Sequence, residues 1–319
     1  MLLLSPQAAG TDLVAAIDRY SFFHGVLHMA GHAFSRGRPI TSLVLRLADG
    51  RVLPVTQSGL PSPDLARIHG RHAAACRFDQ AFHVGHDPQP VLGAQLVASF
   101  ADGGTQAIQP AAKDRSDPSY DILNRFFAQL ARRPPGHFLE VGSRARTGMI
   151  YKSMLPPDWR YTGFDIMDGP NVDIVGDAHH ASRFLPWNSF DAVMSIVVFE
   201  HLLMPWKAVI EINRLLRVGA LGLIMAPQTW PLHEEPCDYF RFSKHAWKAL
   251  FNRATGFEIV EADHGATAYV VARNLTGGSV FGEIHTTALM STVIFRKVAD
   301  TKLDWPVEAD DIADDVYPF

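Results

Sequence analysis

The hydrophobic positions change rhythm partway along the chain. Up to about residue 110 they come in short runs broken by turn residues: 41–47 before Asp49-Gly50, 51–55 before Ser58-Gly59, and 91–100 before Asp102-Gly103-Gly104. The stretch SLVLRLADGRVLPV alternates apolar and polar positions on both sides of an Asp-Gly bend, which predicts a β-hairpin. Several short strands at this spacing predict a small all-β sandwich over residues 1–110. Residues 109–118 are polar and proline-bounded, as in a linker. Ile122, Leu123, Phe126, Phe127 and Leu130 then recur at helical spacing, and Pro134-Pro135-Gly136 ends that helix.

From His137 onward, strand-like runs alternate with helix-like ones, the pattern of a parallel sheet. Strands are predicted over 137–142, 161–166, 172–177, 190–199, 220–227, 257–265 and 291–298. The unbroken run FDAVMSIVVF suits a central strand covered on both faces. Helices are predicted over 146–155, from Pro205 to a stop at Gly219, and over 243–255 with Ser243 as N-cap. The fold class is therefore α/β, a Rossmann-like doubly wound sheet over residues 111–300. An acidic, loose tail follows over 301–319.

Composition narrows the function classes. The chain of 319 residues is 47% hydrophobic and 19% charged with a net charge of −4, which argues against a nucleic-acid partner. Its 15 histidines are scattered and its two cysteines, Cys76 and Cys237, lie far apart, so neither a disulfide framework nor a cysteine metal site is expected. His179-His180 has no matching ligands at metal-site spacing, and no metal site is expected. The apolar start lacks a basic flank, and no apolar run is long enough for stable membrane insertion; a cytoplasmic location is the expectation. Oligomeric state is not legible.

In a doubly wound sheet, ligands bind at the carboxyl ends of the strands where strand order reverses. The groups just after the predicted strands are Glu140-Val141-Gly142-Ser143, Asp165-Ile166, Gly176-Asp177-Ala178, and 195–201 beginning with Ser195. Acids at successive strand ends disfavour phosphate, which binds backbone amides and lysine. Asp165, 25 residues after Glu140, can accept both hydroxyls of a ribose. Asp177 can accept from an adenine amino group, and Gly142 lets backbone approach a ligand closely. A nucleoside carrying a sulfonium cation fits these acids better than NAD does.

The stretches EVGSRARTG, YTGFDI, DIVGDAHH, FDAVMSIVVFEHL, PWKAVIEINRLLRVGALGLIMAP and HEEPCDYFRF, in this order, resemble the successive motifs of class I S-adenosylmethionine-dependent methyltransferases over about residues 120–299. The first motif departs from the family's E-x-G-x-G-x-G, keeping only Gly142 in place. The resemblance implies a seven-stranded sheet whose last strand is antiparallel, and S-adenosyl-L-methionine as cofactor. It places Glu140 and Gly142 at the methionine part, Asp165 at the ribose, and Asp177 and Ala178 at the adenine, with Ser143, Ile166 and Ser195 as further cofactor-binding residues.

Glu200-His201 falls where the transferred methyl group would lie. His201 can line the acceptor pocket and take a proton, since its ordinary pKa is near neutrality, or simply cap a strand end. His233 is the second candidate base. In the loop from His233 to Arg241, the residues Asp238, Tyr239 and Arg241, together with Glu200, are candidates for acceptor recognition; Asp238 and Arg241 can equally brace the loop as an ion pair. Arg144 and Arg146 can meet an anionic acceptor or remain solvated. The H-x-x-P-x-D-Y-F-R stretch resembles methyltransferases of glycan and surface-polysaccharide pathways. Residues 20–108 resemble β-sandwich modules of bacterial surface-glycan enzymes. These resemblances imply O-methylation of a saccharide, nucleotide sugar or lipid-linked glycan acceptor. A catalytically inactive glycan-binding protein and an NAD-dependent oxidoreductase are the alternatives.

Overall fold

The computed structural model describes residues 12–108, 118–274 and 276–313. Most of the expected linker, 109–117, and the end of the expected tail, 314–319, lie outside them. The chain divides into two compact units, Met1–Arg115 and Ser116–Phe319.

The first unit holds eight strands: β1 (Leu13–Phe23), β2 (Val26–Ser35), β3 (Ile40–Arg46), β4 (Val52–Pro54), β5 (Ser58–Pro61), β6 (Ala75–His83), β7 (Gln95–Phe100) and β8 (Thr105–Ile108). They form two antiparallel sheets, ordered β1-β2-β6-β5 and β4-β3-β7-β8. Leu27, Met29, Phe78 and Phe82 of one sheet share a core with Leu43, Leu45, Leu96 and Phe100 of the other. This is a sandwich. The expected hairpin is present as β3–β4, with Gly50 at φ +91° in its bend. The β1–β2 hairpin turns on His24-Gly25, both at positive φ, the combination that a type I′ two-residue turn requires. Residues 91–92, the start of the apolar run read over 91–100, instead belong to the short helix α2 (Gln89–Leu92); α1 (Pro63–His69) precedes β6.

The second unit opens with α3 (Pro118–Leu130) and continues through β9 (His137–Val141), β10 (Arg160–Asp165), β11 (Ile174–Val175), β12 (Phe190–Ile196), α4 (Pro205–Leu215), β13 (Leu216–Pro227), α5 (Trp247–Leu250) and β14 (Phe257–His264). A small ladder of β15 (Thr267–Ala268) and β16 (Thr287–Ala288) brackets α6 (Ser279–Ile284), and β17 (Met290–Lys297) completes the sheet. The seven-stranded sheet is ordered β11-β10-β9-β12-β13-β17-β14. Its first five strands pair in parallel, while β17 runs antiparallel to both neighbours.

Alternation along the strands divides two cores between its faces. Phe138, Ala192, Met194, Leu223 and Ile294 join the α3 residues Leu123, Phe126 and Leu130 on one face. Leu139, Val193, Ile224, Val293 and Phe295 join Val209 and Ile212 of α4 and Trp247 and Leu250 of α5 on the other. Strand order reverses between β9 and β12, which sets the ligand cleft at their carboxyl ends.

Several expectations are corrected. Residues 146–155 hold no α-helix; Gly148 takes φ +80° in a turn, and only a 3₁₀ turn, Tyr151–Met154, follows before Pro156-Pro157. The helix expected over 243–255 shrinks to α5, and Ser243 is not its cap. Asn252 and Thr255 draw backbone groups to their own side chains there, as in Thr255 Oγ1 donating to Leu250 O at 2.8 Å, and so compete with helix continuation. Helix α4 ends at Leu215, not at Gly219. Lys297, with 0% exposure, donates to the carbonyls of Asn213 and Leu216, each at 2.7 Å, satisfying that helix end from a neighbouring strand. The chain from Asp300 is not loose throughout. Asp304 pairs with Arg214, Trp305 meets Trp206 edge-on at 5.7 Å, and Glu308 accepts from Lys207. Among the described residues no helix is long and apolar enough to cross a membrane.

Candidate functional site

The sheet brings the expected cofactor residues to one edge. Glu140 lies opposite Gly163 of β10 and Met194 of β12, and Asp165 opposite Val175 of β11. The segments that leave these strands, carrying Gly142-Ser143, Ile166, Asp177-Ala178 and Val197-Val198, therefore share the carboxyl edge.

Glu140 is 5% exposed and sits on the α3 face beside Tyr161, whose hydroxyl donates to Glu140 Oε2 at 2.6 Å. Asn171 Nδ2 donates to the same Tyr161 oxygen at 2.7 Å and spans back to the Ser143 carbonyl at 2.9 Å. Burial lifts the Glu140 pKa to about 7, opposed by the hydrogen bonds from Tyr161 and Asn171. Gly142 has φ +80°, and a Cβ there would come within 2.1 Å of Val198 Cγ2. Only glycine fits this turn, on both conformational and steric grounds. Just before Val198, Val197 takes φ +56°, an unusual conformation for a β-branched residue, with its amide tied to the Met225 carbonyl at 2.9 Å. Strain of this kind concentrates where backbone shapes a functional cleft.

Asp165 accepts the Arg144 amide at Oδ2 and the Met167 amide at Oδ1, each at 3.0 Å. Each oxygen keeps a further lone pair, enough for the two hydroxyls of a ribose. Asp177 accepts both the amide and the Nδ1 of His179 at Oδ1, at 2.9 and 2.7 Å. His179 Nε2 accepts the Met204 amide at 3.1 Å, so this histidine pins two loops together. His180 bonds Glu308 at 2.5 Å. The two adjacent histidines thus have separate structural duties. The Asp177 carboxyl lies below the usual range; burial raises it, but its bonds with His179 outweigh that. Ser143 and Ser195 are buried, and among the described residues neither hydroxyl has a hydrogen-bond partner. Unsatisfied buried hydroxyls on Ser143 and Ser195 and the remaining lone pairs of Asp165 fit a nucleoside cofactor. Ile166 and Ala178, both half-buried, border the same edge.

A second cluster lies past β12 and β13. The chain leaves β12 through the strained Val197 into a 3₁₀ turn, Phe199–His201. The long loop after β13 is stitched to it, since the amides of Tyr239 and Phe240 both donate to the Glu200 carbonyl, at 2.8 and 3.1 Å. Arg146 pairs with Glu234 at 2.7 Å, joining the β9 loop to the same long loop. Glu200 has 0% exposure, and burial raises its pKa to about 8. His201 Nδ1 lies 2.6 Å from the Cys237 carbonyl, and burial pushes its pKa down. The rings of His201 and His233 meet edge-on at 4.9 Å.

For Asp238 the sequence leaves acceptor recognition and a loop-bracing pair with Arg241 both open. Its side chain is 1% exposed and is occupied by Arg241 through two bonds of 2.6 Å, by the His233 amide at 2.9 Å, and by His233 Nδ1 at 3.2 Å. The Arg241 bonds hold its pKa down at about 2. Asp238 and Arg241 therefore brace the loop and orient His233; Arg241 also donates to the carbonyls of Trp230 and Pro231. Tyr239 bonds the buried Cys237 thiol at 3.2 Å and is half-buried, consistent with a packed thiol.

Sequence reading missed Tyr161 and Asn171, which hold Glu140, and Val198, which closes on Gly142. A polar aromatic at the start of β10 and an asparagine in the following turn carry no local signal of a partner on β9. The spacing also hides that Glu200, His201 and His233 converge, because His233 is 32 residues beyond its neighbour.

Residues 139–224 match a family model described as a methyltransferase domain. Among curated proteins none matches this chain. Similar solved structures include a SAM dependent methyltransferase from Aquifex aeolicus, with 16% identity over 59% of this chain and 94% of that one and a TM-score of 0.40. Another, from Archaeoglobus fulgidus, has 16% identity over 56% and 99%, with a TM-score of 0.39. The [4+2]-cyclase SpnF has 17% identity over 57% and 82%, with a TM-score of 0.39. From β9 to β13 the chain is thus similar to methyltransferase domains.

Proposed function

We propose that the second unit is an S-adenosylmethionine-dependent methyltransferase acting on a hydroxyl-bearing acceptor. The observation that carries this reading is the gathering of Glu140, Gly142, Asp165 and Asp177 at the reversal point of the sheet, within the segment similar to methyltransferase domains. Asp165 would hold the ribose, Asp177 and Ala178 the adenine, and Glu140, Gly142 and Ser143 the methionine end, with Ile166 and Ser195 lining the cleft. The cofactor supplies a methyl group made electrophilic by its sulfonium.

The chain's own residues then align the acceptor and keep water out. The Cys237 carbonyl can only accept, so His201 Nδ1 carries the proton and Nε2 presents a lone pair. His201 Nε2 takes the hydroxyl proton as the acceptor oxygen takes the methyl group, and burial keeps this ring neutral and ready to do so. His233, oriented by Asp238, lies across the same opening. The half-buried Tyr239 and the Arg146–Glu234 pair border the acceptor's side. A saccharide, nucleotide sugar or lipid-linked glycan is the acceptor class we assign, on the resemblance of the His233–Arg241 loop and of the first unit. The first unit would then be an accessory glycan-recognition domain.

Calorimetric titration with S-adenosylhomocysteine, with NADH as control, tests the cofactor. Micromolar binding of the first alone, lost in Asp165→Ala, is the expected result; binding of NADH instead would point to an oxidoreductase. A radiolabelled methyl-transfer screen over hydroxyl-bearing glycans tests the acceptor. Turnover lost in His201→Ala with cofactor binding retained is expected. Cofactor binding without turnover on any acceptor would favour a glycan-binding protein without catalysis.

A further inference from the structure

We propose that Glu200, His201 and His233 form a site for one divalent transition-metal ion of the zinc, cobalt or iron(II) class. Oε1 of Glu200 lies 3.8 Å from His201 Nε2 and 3.9 Å from His233 Nε2, and one donor atom from each residue falls within 4.8 Å of the other two. Bonds of about 2.0–2.2 Å to zinc place neighbouring donors about 3–3.5 Å apart, so small side-chain rotations close the set around an ion.

Three features go beyond proximity. First, both imidazoles are held in the ligating tautomer. The Cys237 carbonyl fixes the proton of His201 on Nδ1. The Pro231 carbonyl, 3.3 Å from His233 Nδ1, does the same for His233, with the Asp238 carboxylate 3.2 Å from that nitrogen. Carbonyl and carboxylate acceptors behind a histidine are the usual means by which a protein aims its other nitrogen at a metal. Second, Glu200 is fully buried, and among the described residues neither carboxylate oxygen has a hydrogen-bond partner. A buried carboxylate left unpaired is costly, and a cation between it and the imidazoles removes that cost. Third, the two histidine side chains keep 19% and 29% exposure, leaving one side of the cluster open to water or to an acceptor oxygen. Two imidazoles and one carboxylate suit the transition metals, whereas calcium and magnesium prefer all-oxygen sets.

The site stands on these residues whatever cofactor the β9 edge binds. Its part in transfer rests on the methyltransferase reading. There the ion would bind the acceptor oxygen directly and lower its pKa, the hydroxyl proton leaving to water at the open side of the cluster, with His201 serving as a ligand and not as the base.

The test uses full-length protein stripped with EDTA, titrated with Co²⁺ by visible absorption and with Zn²⁺ by calorimetry. One ion per chain is expected, with cobalt d–d bands. His201→Ala, His233→Ala and Glu200→Gln should each weaken binding by more than the roughly 10- to 100-fold typical of losing an outer-shell partner; His24→Ala, in the first unit, should not. Should these variants misfold, the wild-type Co²⁺ form still decides: its proton spectrum should show two paramagnetically shifted, exchangeable imidazole N–H signals. No saturable binding, binding indifferent to the three substitutions, or fewer than two such signals overturns the site. S-adenosylhomocysteine binding, measured on the same samples, separates the two readings. Cobalt binding without it rejects the methyltransferase reading and keeps the metal site; the reverse rejects only the metal site.

Discussion

Glu140→Gln probes how the β9 edge stores a buried carboxyl. In the folded chain Glu140 titrates at about 7 instead of the ordinary 4.5, chiefly because burial penalises its charge. The direction of the pH effect follows. Below about pH 4.5 the group is protonated in both states and costs nothing. Between 4.5 and 7 the unfolded chain releases a proton that the folded chain retains, so stability falls as pH rises, and above 7 the penalty is constant. The gap corresponds to about 3 kcal/mol at 1.36 kcal/mol per pH unit. Glutamine keeps an acceptor for the Tyr161 hydroxyl, now 2.6 Å from Glu140 Oε2, and never ionises. Urea unfolding should therefore find wild type and Glu140→Gln alike at pH 4.5. At pH 8 the variant should be about 2–3 kcal/mol more stable, with a higher midpoint and unchanged slope. The same variant should bind S-adenosylhomocysteine less well at pH 8, where the native carboxylate would face the ligand's ammonium group. A stability difference independent of pH, or a variant less stable at pH 8, refutes the reasoning.

Gly142→Ala combines a left-handed φ with a contact 2.1 Å from Val198, and should cost about 2–5 kcal/mol in urea unfolding while abolishing cofactor binding by calorimetry. Lys297→Met leaves the Asn213 and Leu216 carbonyls without their buried donor and should lower stability by about 3 kcal/mol, read as a drop in Tm without loss of the sheet's circular dichroism. Asp238→Asn removes a carboxyl held at about 2 by Arg241. Its folded pKa is depressed, so the stability it contributes is present above about pH 4 and fades as pH falls towards 2; melting curves of wild type and variant should converge on acidification.

Much of the architecture is legible in the chain because it rests on local periodicity. The Asp49-Gly50 hairpin, the continuous apolar run of β12, and the helical spacing of Leu123, Phe126 and Leu130 are short-range patterns, and each appears as an element. The acids that end successive strands are legible for the same reason: a parallel sheet brings its carboxyl ends together without further information. Elements decided by long-range partners are not. Periodicity proposed helices over 146–155 and 243–255, but Gly148 and the Asn252–Thr255 side chains captured the backbone instead. The end of α4 is set by Lys297, more than 80 residues away in sequence, because only tertiary packing brings a buried ammonium to those carbonyls.

The candidate site divides along the same line. Residue type and position nominated Glu140, Gly142, Asp165, Asp177, His201 and His233. Only the fold shows that Asp238 orients His233 from beneath, that Tyr161 and Asn171 support Glu140, and that Glu200 is buried between two imidazoles aimed at it. Sequence fixes what each side chain can donate, accept or titrate. Tautomer, burial and the distance between donors depend on which distant backbone carbonyl or carboxylate lies behind each group, and that is set only when the loops after β12 and β13 close against each other.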